Sequence, residues 1–150
     1  MKKEFKGRPV IPGSAAGEAL DTKTDVNILA SMQRDLIAKK RLVRSGDQNN
    51  PELYGKQLTG KVLCLPRTIG STTGGMVLQK AIAAGLAPKA LLFADRIDSL
   101  AAAGVILGKV WNEKDTITVD QLGDAFLQSV RNGDRIEIRP DGSVTVDSPG

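Results

Sequence analysis

The chain has 150 residues, a formal net charge of +4 and a hydrophobic content of 41%, which suits one domain with an aliphatic core. With no histidine and a single cysteine, Cys64, it cannot alone build a Ser-His-Asp or Cys-His centre, nor a zinc or iron–sulfur site that needs three or four such ligands. We expect a cytoplasmic protein, because an internal disulfide, a membrane span and a secretory signal are all absent from the sequence.

The amino-terminal third is predicted to hold two short strands and a helix. The turn Pro12-Gly13-Ser14 divides residues 8–22 into two strand-like segments. Residues 25–41 carry apolar side chains at helical spacing and end in the basic run Lys39-Lys40-Arg41. Because aromatic side chains that could stack on bases are scarce, we interpret this run as a solvated helix end and expect no nucleic-acid partner.

The central segment alternates strands and helices after a polar loop over residues 45–60. Three apolar runs predict buried strands, at Val62–Leu65, 90–94 and 105–107. Two helices are predicted between them, over 76–84 and 96–103. We expect Asp95 to cap the second helix, with Asp98 as the acid of a capping box. Such alternation predicts parallel strand pairing with right-handed crossovers.

The carboxyl-terminal segment no longer alternates buried strands with helices. An amphipathic helix is predicted over residues 119–130, followed by two alternating strands, 134–139 and 143–146, around the turn Pro140-Asp141-Gly142. The predicted fold class is therefore α/β, with a mixed parallel and antiparallel, barrel-like sheet and flanking helices, in one domain over residues 1–150.

The turn between the first buried strand and its helix is the strongest functional signal. It reads Thr68-Ile69-Gly70-Ser71-Thr72-Thr73-Gly74-Gly75 and places main-chain N–H groups and three hydroxyls at a helix amino terminus, where an anion binds favourably. It is neither a Walker loop, which needs a lysine before its last Ser or Thr, nor a G-x-G-x-x-G dinucleotide turn. A purely structural turn, with a Ser or Thr capping the helix, is the alternative.

Several segments together resemble a known family. Pro12–Leu20, the segment Leu53-Tyr54-Gly55 ahead of 58–63, and Gly70–Gly74 at the opening of a helix resemble the small subunit of aconitase X. The resemblance implies a swivelling β/β/α domain. The family turn is expected to read Gly-Arg-Gly-Ser-Ser, whereas here the arginine stands at Arg67, and this difference leaves the substrate open.

The resemblance also implies the chemistry. The chain would be a hydro-lyase subunit, inactive alone, that forms a heterodimer with a large aconitase-X subunit carrying iron or an iron–sulfur cluster, while binding no metal or cofactor itself. The substrate would be a small anionic hydroxy acid such as cis-3-hydroxy-L-proline or phosphomevalonate. Ser71 would be the catalytic base, and the substrate would bind to Arg67, Gly70, Thr72, Thr73 and Gly74.

Two other functions can be weighed against this one. A non-catalytic anion-binding or regulatory module could use the same turn to hold a carboxylate or phosphate without chemistry. A phosphohistidine carrier on a similar swivelling fold is excluded because the chain has no histidine.

Overall fold

A computed structural model describes residues 2–70 and 73–149 of the chain. The elements of the described residues, in chain order, are β1 (Lys2–Lys6), β2 (Arg8–Ile11), β3 (Ala15–Asp21), β4 (Val26–Asn27), α1 (Ile28–Ile37), β5 (Val62–Leu65), β6 (Thr68–Ile69), α2 (Thr73–Ala83), β7 (Ala90–Phe93), α3 (Ser99–Asn112), β8 (Ile117–Asp120), α4 (Asp124–Ser129), β9 (Arg135–Ile138) and β10 (Ser143–Asp147).

Eight of these strands form one mixed sheet in the order β1-β10-β9-β3-β5-β7-β8-β2. The central strands β3, β5, β7 and β8 are parallel, and the outer pairings are antiparallel. Gly7 alone separates β1 from β2, so the two end strands of this order are brought together and the sheet curls into a barrel-like form. A side chain at Gly7 would not fit, because a Cβ there would lie 2.4 Å from the Asp120 carbonyl oxygen. The predicted fold class is confirmed.

The strand β5 explains how one sheet supports two apolar cores. All four of its residues are buried, and alternate side chains enter different clusters. Leu63 and Leu65 pack beneath helices α1, α2 and α3, whereas Val62 and Cys64 join the cluster that contains Phe126 of α4. Because both faces are covered, the strand reads as a continuous apolar run rather than an alternating one. The prediction of a buried strand at Val62–Leu65, which includes Cys64, is confirmed.

The predicted third strand at 105–107 is wrong. These residues belong to α3, whose buried positions Ala101, Val105 and Gly108 recur at helical spacing. A short apolar run does not distinguish a strand from a buried helix. The parallel strand that follows α3 is instead β8, whose last two residues overlap the segment predicted as helix 119–130; within that segment only Asp124–Ser129 is helical.

The boundaries of other elements also differ from the predictions. The amino-terminal helix is shorter than predicted, Ile28–Ile37, and α2 begins at Thr73, three residues before the predicted start. The strands β2 and β3 are confirmed but do not pair with each other, since β2 pairs with β8 and β3 pairs with β5 and β9. Within the described ranges, no helix is long and apolar enough to cross a bilayer.

Candidate functional site

The Gly-Ser-Thr-Thr-Gly turn connects β6 to α2. Its candidate base Ser71, together with Thr72, lies outside the described residues, so the structure does not place these two side chains. The residues on either side are placed: Gly70 follows β6 and is exposed, and Thr73 is the exposed first residue of α2. The residues on both sides of Ser71 and Thr72 are therefore at the surface of the domain, and Thr73 begins a helix.

A cavity of about 220 Å³ lies beside this turn. It is lined by the residues Ile28, Thr68, Ile69, Gly70, Gly74, Gly75, Asp98, Leu100 and Ala101. These residues come from β6, from the N-cap of α3 and from the first turns of α1, α2 and α3. Three helix amino termini therefore meet at one cavity, and the positive ends of their dipoles favour a bound anion there.

Among the described residues, side chains cap α1 and α3. The Asn27 carboxamide oxygen accepts a hydrogen bond from the Ala30 N–H at 3.0 Å, which caps α1. At α3, one carboxylate oxygen of Asp98 accepts the N–H groups of Leu100 and Ala101, each at 3.0 Å. The carboxylate also places a negative charge in the cavity wall. A bound anion is consequently favoured on the α2 side of the cavity rather than on the α3 side.

The side chain of Asp98 has a second contact that orients the turn. The Thr68 hydroxyl donates a hydrogen bond to the other carboxylate oxygen of Asp98. This contact ties β6, directly before the turn, to the start of α3. The prediction that Asp95 caps this helix is wrong, because Asp98 is the N-cap and the Asp95 carboxylate instead accepts a hydrogen bond from Arg67.

Glycine is required at position 70 for two reasons. Its φ of +117° lies in the region that side chains disfavour, and a Cβ there would lie 3.0 Å from the side chain of Asn27. The strand β4 pairs with β6 in parallel register, Val26 with Thr68 and Asn27 with Ile69. This two-residue strand pairing holds Asn27, the N-cap of α1, next to Gly70.

The two glycines in the first turn of α2 play different parts. A Cβ on Gly75 would lie 2.5 Å from the Leu100 carbonyl oxygen, so Gly75 allows α2 and α3 to approach closely. A Cβ on Gly74 would meet only the Ile28 Cβ at 3.7 Å, which is an ordinary contact. Gly74 lies in the cavity wall as part of the helix, not in a loop.

Arg67 lies next to the site, but it does not line the cavity. Its Nε and Nη2 atoms each lie 3.1 Å from one oxygen of Asp95, and Nε lies 3.6 Å from Asp25. The side chain is more than half exposed. A substrate carboxylate would have to compete with these two carboxylates, so a substrate contact by Arg67 stays a prediction.

The sequence did not predict that Ile28 and Leu100 line the cavity, that Asp98 forms part of its wall, or that Asn27 lies against Gly70. Asn27 and Asp98 each stand directly before a helix, and Asn and Asp are residues that favour the N-cap position. Nothing in the sequence indicates that these two caps and the turn before α2 lie side by side.

The described residues, 2–70 and 73–149, contain no group of three or more His, Cys, Asp or Glu side chains that could hold a metal ion. Cys64 is fully buried in β5, and burial raises the pKa of its thiol well above the ordinary value.

Together, the fold and the cavity define an α/β domain in which a glycine-rich turn joins β6 to α2 beside a cavity lined by the starts of three helices. The family described as the aconitase X swivel domain matches residues 4–146, and the chain belongs to this family. The resemblance found in the sequence is thereby confirmed.

Curated relatives cover nearly the whole chain. The phosphomevalonate dehydratase small subunit of Archaeoglobus fulgidus is 27% identical over 138 residues, which are 92% of this chain and 93% of that protein. The protein of the same name from Aeropyrum pernix is 29% identical and covers 97% of this chain and 95% of its own length. Both are named as subunits of a dehydratase, in agreement with the expected enzyme class.

A solved structure matches the fold. The crystal structure of Thermococcus kodakaraensis aconitase X in its holo-form superposes with a TM-score of 0.80 and 22% identity, covering 97% of this chain and 99% of the matched chain. At this identity the likeness supports the fold, and it agrees with the mixed sheet and flanking helices described above.

Proposed function

We propose that this chain is the small subunit of an aconitase-X-type dehydratase and that it shares its active site with a large, metal-bearing subunit. The observation that carries the proposal is the cavity beside the turn, where Gly70 and the first turn of α2 meet the starts of α1 and α3. The names of the relatives favour phosphomevalonate over cis-3-hydroxy-L-proline as the hydroxy acid.

In this proposal Ser71 is the base. Its deprotonated hydroxyl takes a proton from a substrate carbon, the electron pair of that C–H bond forms the new C=C bond, and the neighbouring C–O bond breaks with its electron pair leaving on hydroxide. Return of the proton from Ser71 to this hydroxide gives water and restores the deprotonated serine. A serine hydroxyl is a weak base unless its alkoxide is stabilised. Ser71 lies two residues before Thr73, the first residue of α2, and the dipole of this helix would supply such stabilisation.

The substrate carboxylate is assigned to the same helix start. Gly70, Thr72, Thr73 and Gly74 would offer main-chain N–H groups and hydroxyls to it, on the side of the cavity away from Asp98. Arg67 would join them by exchanging its contact with Asp95 for one with the substrate. Iron or an iron–sulfur cluster on the large subunit would supply the Lewis acidity for loss of the hydroxyl group.

Reconstitution with the large subunit tests this function. The wild-type complex should dehydrate phosphomevalonate, and Ser71→Ala should lower kcat by at least 1000-fold while the affinity between the subunits stays unchanged. The matched control is Ser99→Ala, which removes an exposed hydroxyl from the first residue of α3 and should retain activity. Wild-type activity in Ser71→Ala would overturn the role of this serine.

A binding module without chemistry would behave differently. Calorimetry of the isolated chain with phosphomevalonate should give weak or no binding if the site is completed by the large subunit. Tight binding without the partner, combined with no activity in its presence, would favour the non-catalytic function.

A further inference from the structure

A groove on the helical face of the domain lies between α1 and α2. It has a volume of about 320 Å³ and is lined by Gln33, Leu36, Ile37, Lys39, Thr73, Met76, Val77 and Lys80. Its α2 wall runs from Thr73 to Lys80, a distance of about 10 Å at the rise of an α-helix. The groove is therefore long enough to hold two turns of a helix or a short extended segment.

The walls of the groove are apolar and open to solvent. Ile37 is 70% exposed and Met76 is 62% exposed, and Leu36 and Val77 form the more buried floor. Large apolar side chains exposed on adjacent helices form a surface that gains free energy when another apolar surface covers it. This exposure indicates a protein partner rather than a nucleic acid, which prefers a polar, basic surface.

The charge of the groove restricts the partner further. Lys39 and Lys80 are exposed at its rim, and neither forms an ion pair among the described residues. The described residues that line the groove include no acidic side chain. A second copy of this chain is disfavoured because the chain carries a net charge of +4. A partner segment with apolar side chains packs against the walls of the groove, and carboxylates on either side of that segment pair with Lys39 and Lys80 at the rim.

The groove is continuous with the candidate active site. Thr73 lines the groove, whereas its neighbours Gly74 and Gly75 line the cavity beside the turn. A partner that completes the active site over this cavity can therefore extend along α2 into the groove. We propose that the α1–α2 groove binds an apolar segment of the large subunit flanked by acidic residues; this inference rests on the proposed function.

Two groove variants test the inference in the reconstituted complex. Ile37→Ser removes an exposed apolar side chain, and Lys80→Glu reverses the charge at the rim. Each should raise the Kd for the large subunit at least ten-fold in calorimetry, and Lys80→Glu should flatten the salt dependence of the Kd. Both residues are exposed, and circular dichroism with urea unfolding checks that each variant is folded.

Matched controls lie on other exposed surfaces. Val110→Ser makes a comparable change on α3, where Val110 is 64% exposed, and Lys3→Glu reverses an exposed charge in β1. Both controls should leave the Kd within two-fold of wild type. At saturating large subunit, Ile37→Ser should recover a wild-type kcat, because the groove positions the partner and does not contact the reacting atoms.

The outcomes separate the inference from the proposed function. An unchanged Kd in both groove variants, with an active wild-type complex, overturns the groove and leaves the dehydratase function intact. A Kd raised equally by Val110→Ser and Ile37→Ser also overturns the groove, because apolar exposure in general would then explain binding. A wild-type chain that neither binds the large subunit nor supports activity overturns both proposals.

Discussion

Gly75 and Leu100 set the distance between the first turns of α2 and α3. A Cβ on Gly75 would lie 2.5 Å from the Leu100 carbonyl oxygen, and that oxygen belongs to the backbone and cannot rotate away. Gly75→Ala should therefore push the two helices apart and lower the free energy of unfolding by about 2 kcal/mol, the usual cost of overpacking. Urea unfolding monitored by circular dichroism measures this change.

The neighbouring glycine provides the control. A Cβ at Gly74 meets only the Ile28 Cβ, at 3.7 Å, so Gly74→Ala should leave the free energy of unfolding unchanged or raise it by up to about 0.5 kcal/mol through helix propensity. Equal destabilisation by the two substitutions would contradict the assignment of the close helix contact to Gly75.

A comparison of Gly70→Ala with Gly55→Ala should distinguish the effect of the turn's geometry on activity from the effect of backbone strain on stability. Gly70 has a φ of +117° and lies against Asn27, whereas Gly55 has a φ of +77° with open space around it. Both alanine variants should lose about 1–2 kcal/mol of stability from the disfavoured conformation. Only Gly70→Ala should also shift the α1 cap and the turn, so it alone should lower the kcat of the reconstituted dehydratase, by at least ten-fold.

The assay of these two variants must keep folding and activity apart. Activity is measured at a temperature where both variants are fully folded. A Gly70→Ala enzyme with wild-type kcat would show that the contact between Gly70 and Asn27 does not orient the catalytic turn.

Asp98 should be needed both for the stability of α3 and for the orientation of β6. Asp98→Ala removes the cap on Leu100 and Ala101 and the acceptor for Thr68, and it should lower the free energy of unfolding by about 1–2 kcal/mol. Asp98→Asn keeps one acceptor oxygen and should show an intermediate loss. Thr68→Val, which removes only the hydroxyl donor, separates the two roles in urea unfolding. A loss from Asp98→Ala no larger than that from Thr68→Val would contradict the capping role.

The parts of the fold that depend on local signals were predictable from the sequence. Val62–Leu65 and the strand after Gly85 are continuous apolar runs bounded by glycine or proline, and both form buried parallel strands. Gly85 itself ends α2 with a φ of +74°, and its N–H donates to the Ile82 carbonyl. Periodicity and turn chemistry decide such elements without help from distant residues.

The errors occur where tertiary contacts outweigh local pattern. Val105–Leu107 is apolar enough for a strand, yet Gly104 and Gly108 in the same segment let α3 approach Leu78 and Ile82 of α2 closely. The strand β8 was not predicted because its last residue, Asp120, resembles a polar helix start. Its buried carboxylate pairs with Arg8, more than 100 residues earlier in the chain, and accepts a hydrogen bond from the Ile97 N–H.

The cavity could not be predicted from the sequence, because it too depends on tertiary contacts. Its walls combine the starts of three helices, and the caps Asn27 and Asp98 lie far from Gly70 in the sequence. The turn itself was recognised from its glycines and hydroxyls, but its surroundings depend on the parallel pairing of β4 with β6 and on the packing of α3 against α2.

Asp120 should make the stability of the domain depend on pH in the acid range. Its side chain is fully buried and accepts hydrogen bonds from Arg8 at 2.7 and 2.9 Å and from the Ile97 N–H at 2.8 Å. Burial alone would raise the pKa of this carboxyl, but the Arg8 guanidinium and the Ile97 N–H outweigh it and hold the pKa below its ordinary value.

The sign of the effect follows from this direction. A carboxyl whose pKa is lower in the folded state stabilises the fold at pH values above its unfolded pKa, about 3.9, and loses this contribution as the pH falls through the folded pKa. Asp120→Asn should therefore cost about 2 kcal/mol at pH 6, and the difference from wild type should shrink below about pH 4. Urea unfolding of both proteins between pH 3 and pH 7 measures this difference.

The control Glu137→Gln, at an exposed position of β9, should differ from wild type by less than about 0.5 kcal/mol throughout this pH range. A difference for Asp120→Asn that stays constant down to pH 3 would show that the ion pair with Arg8 does not lower the pKa of Asp120.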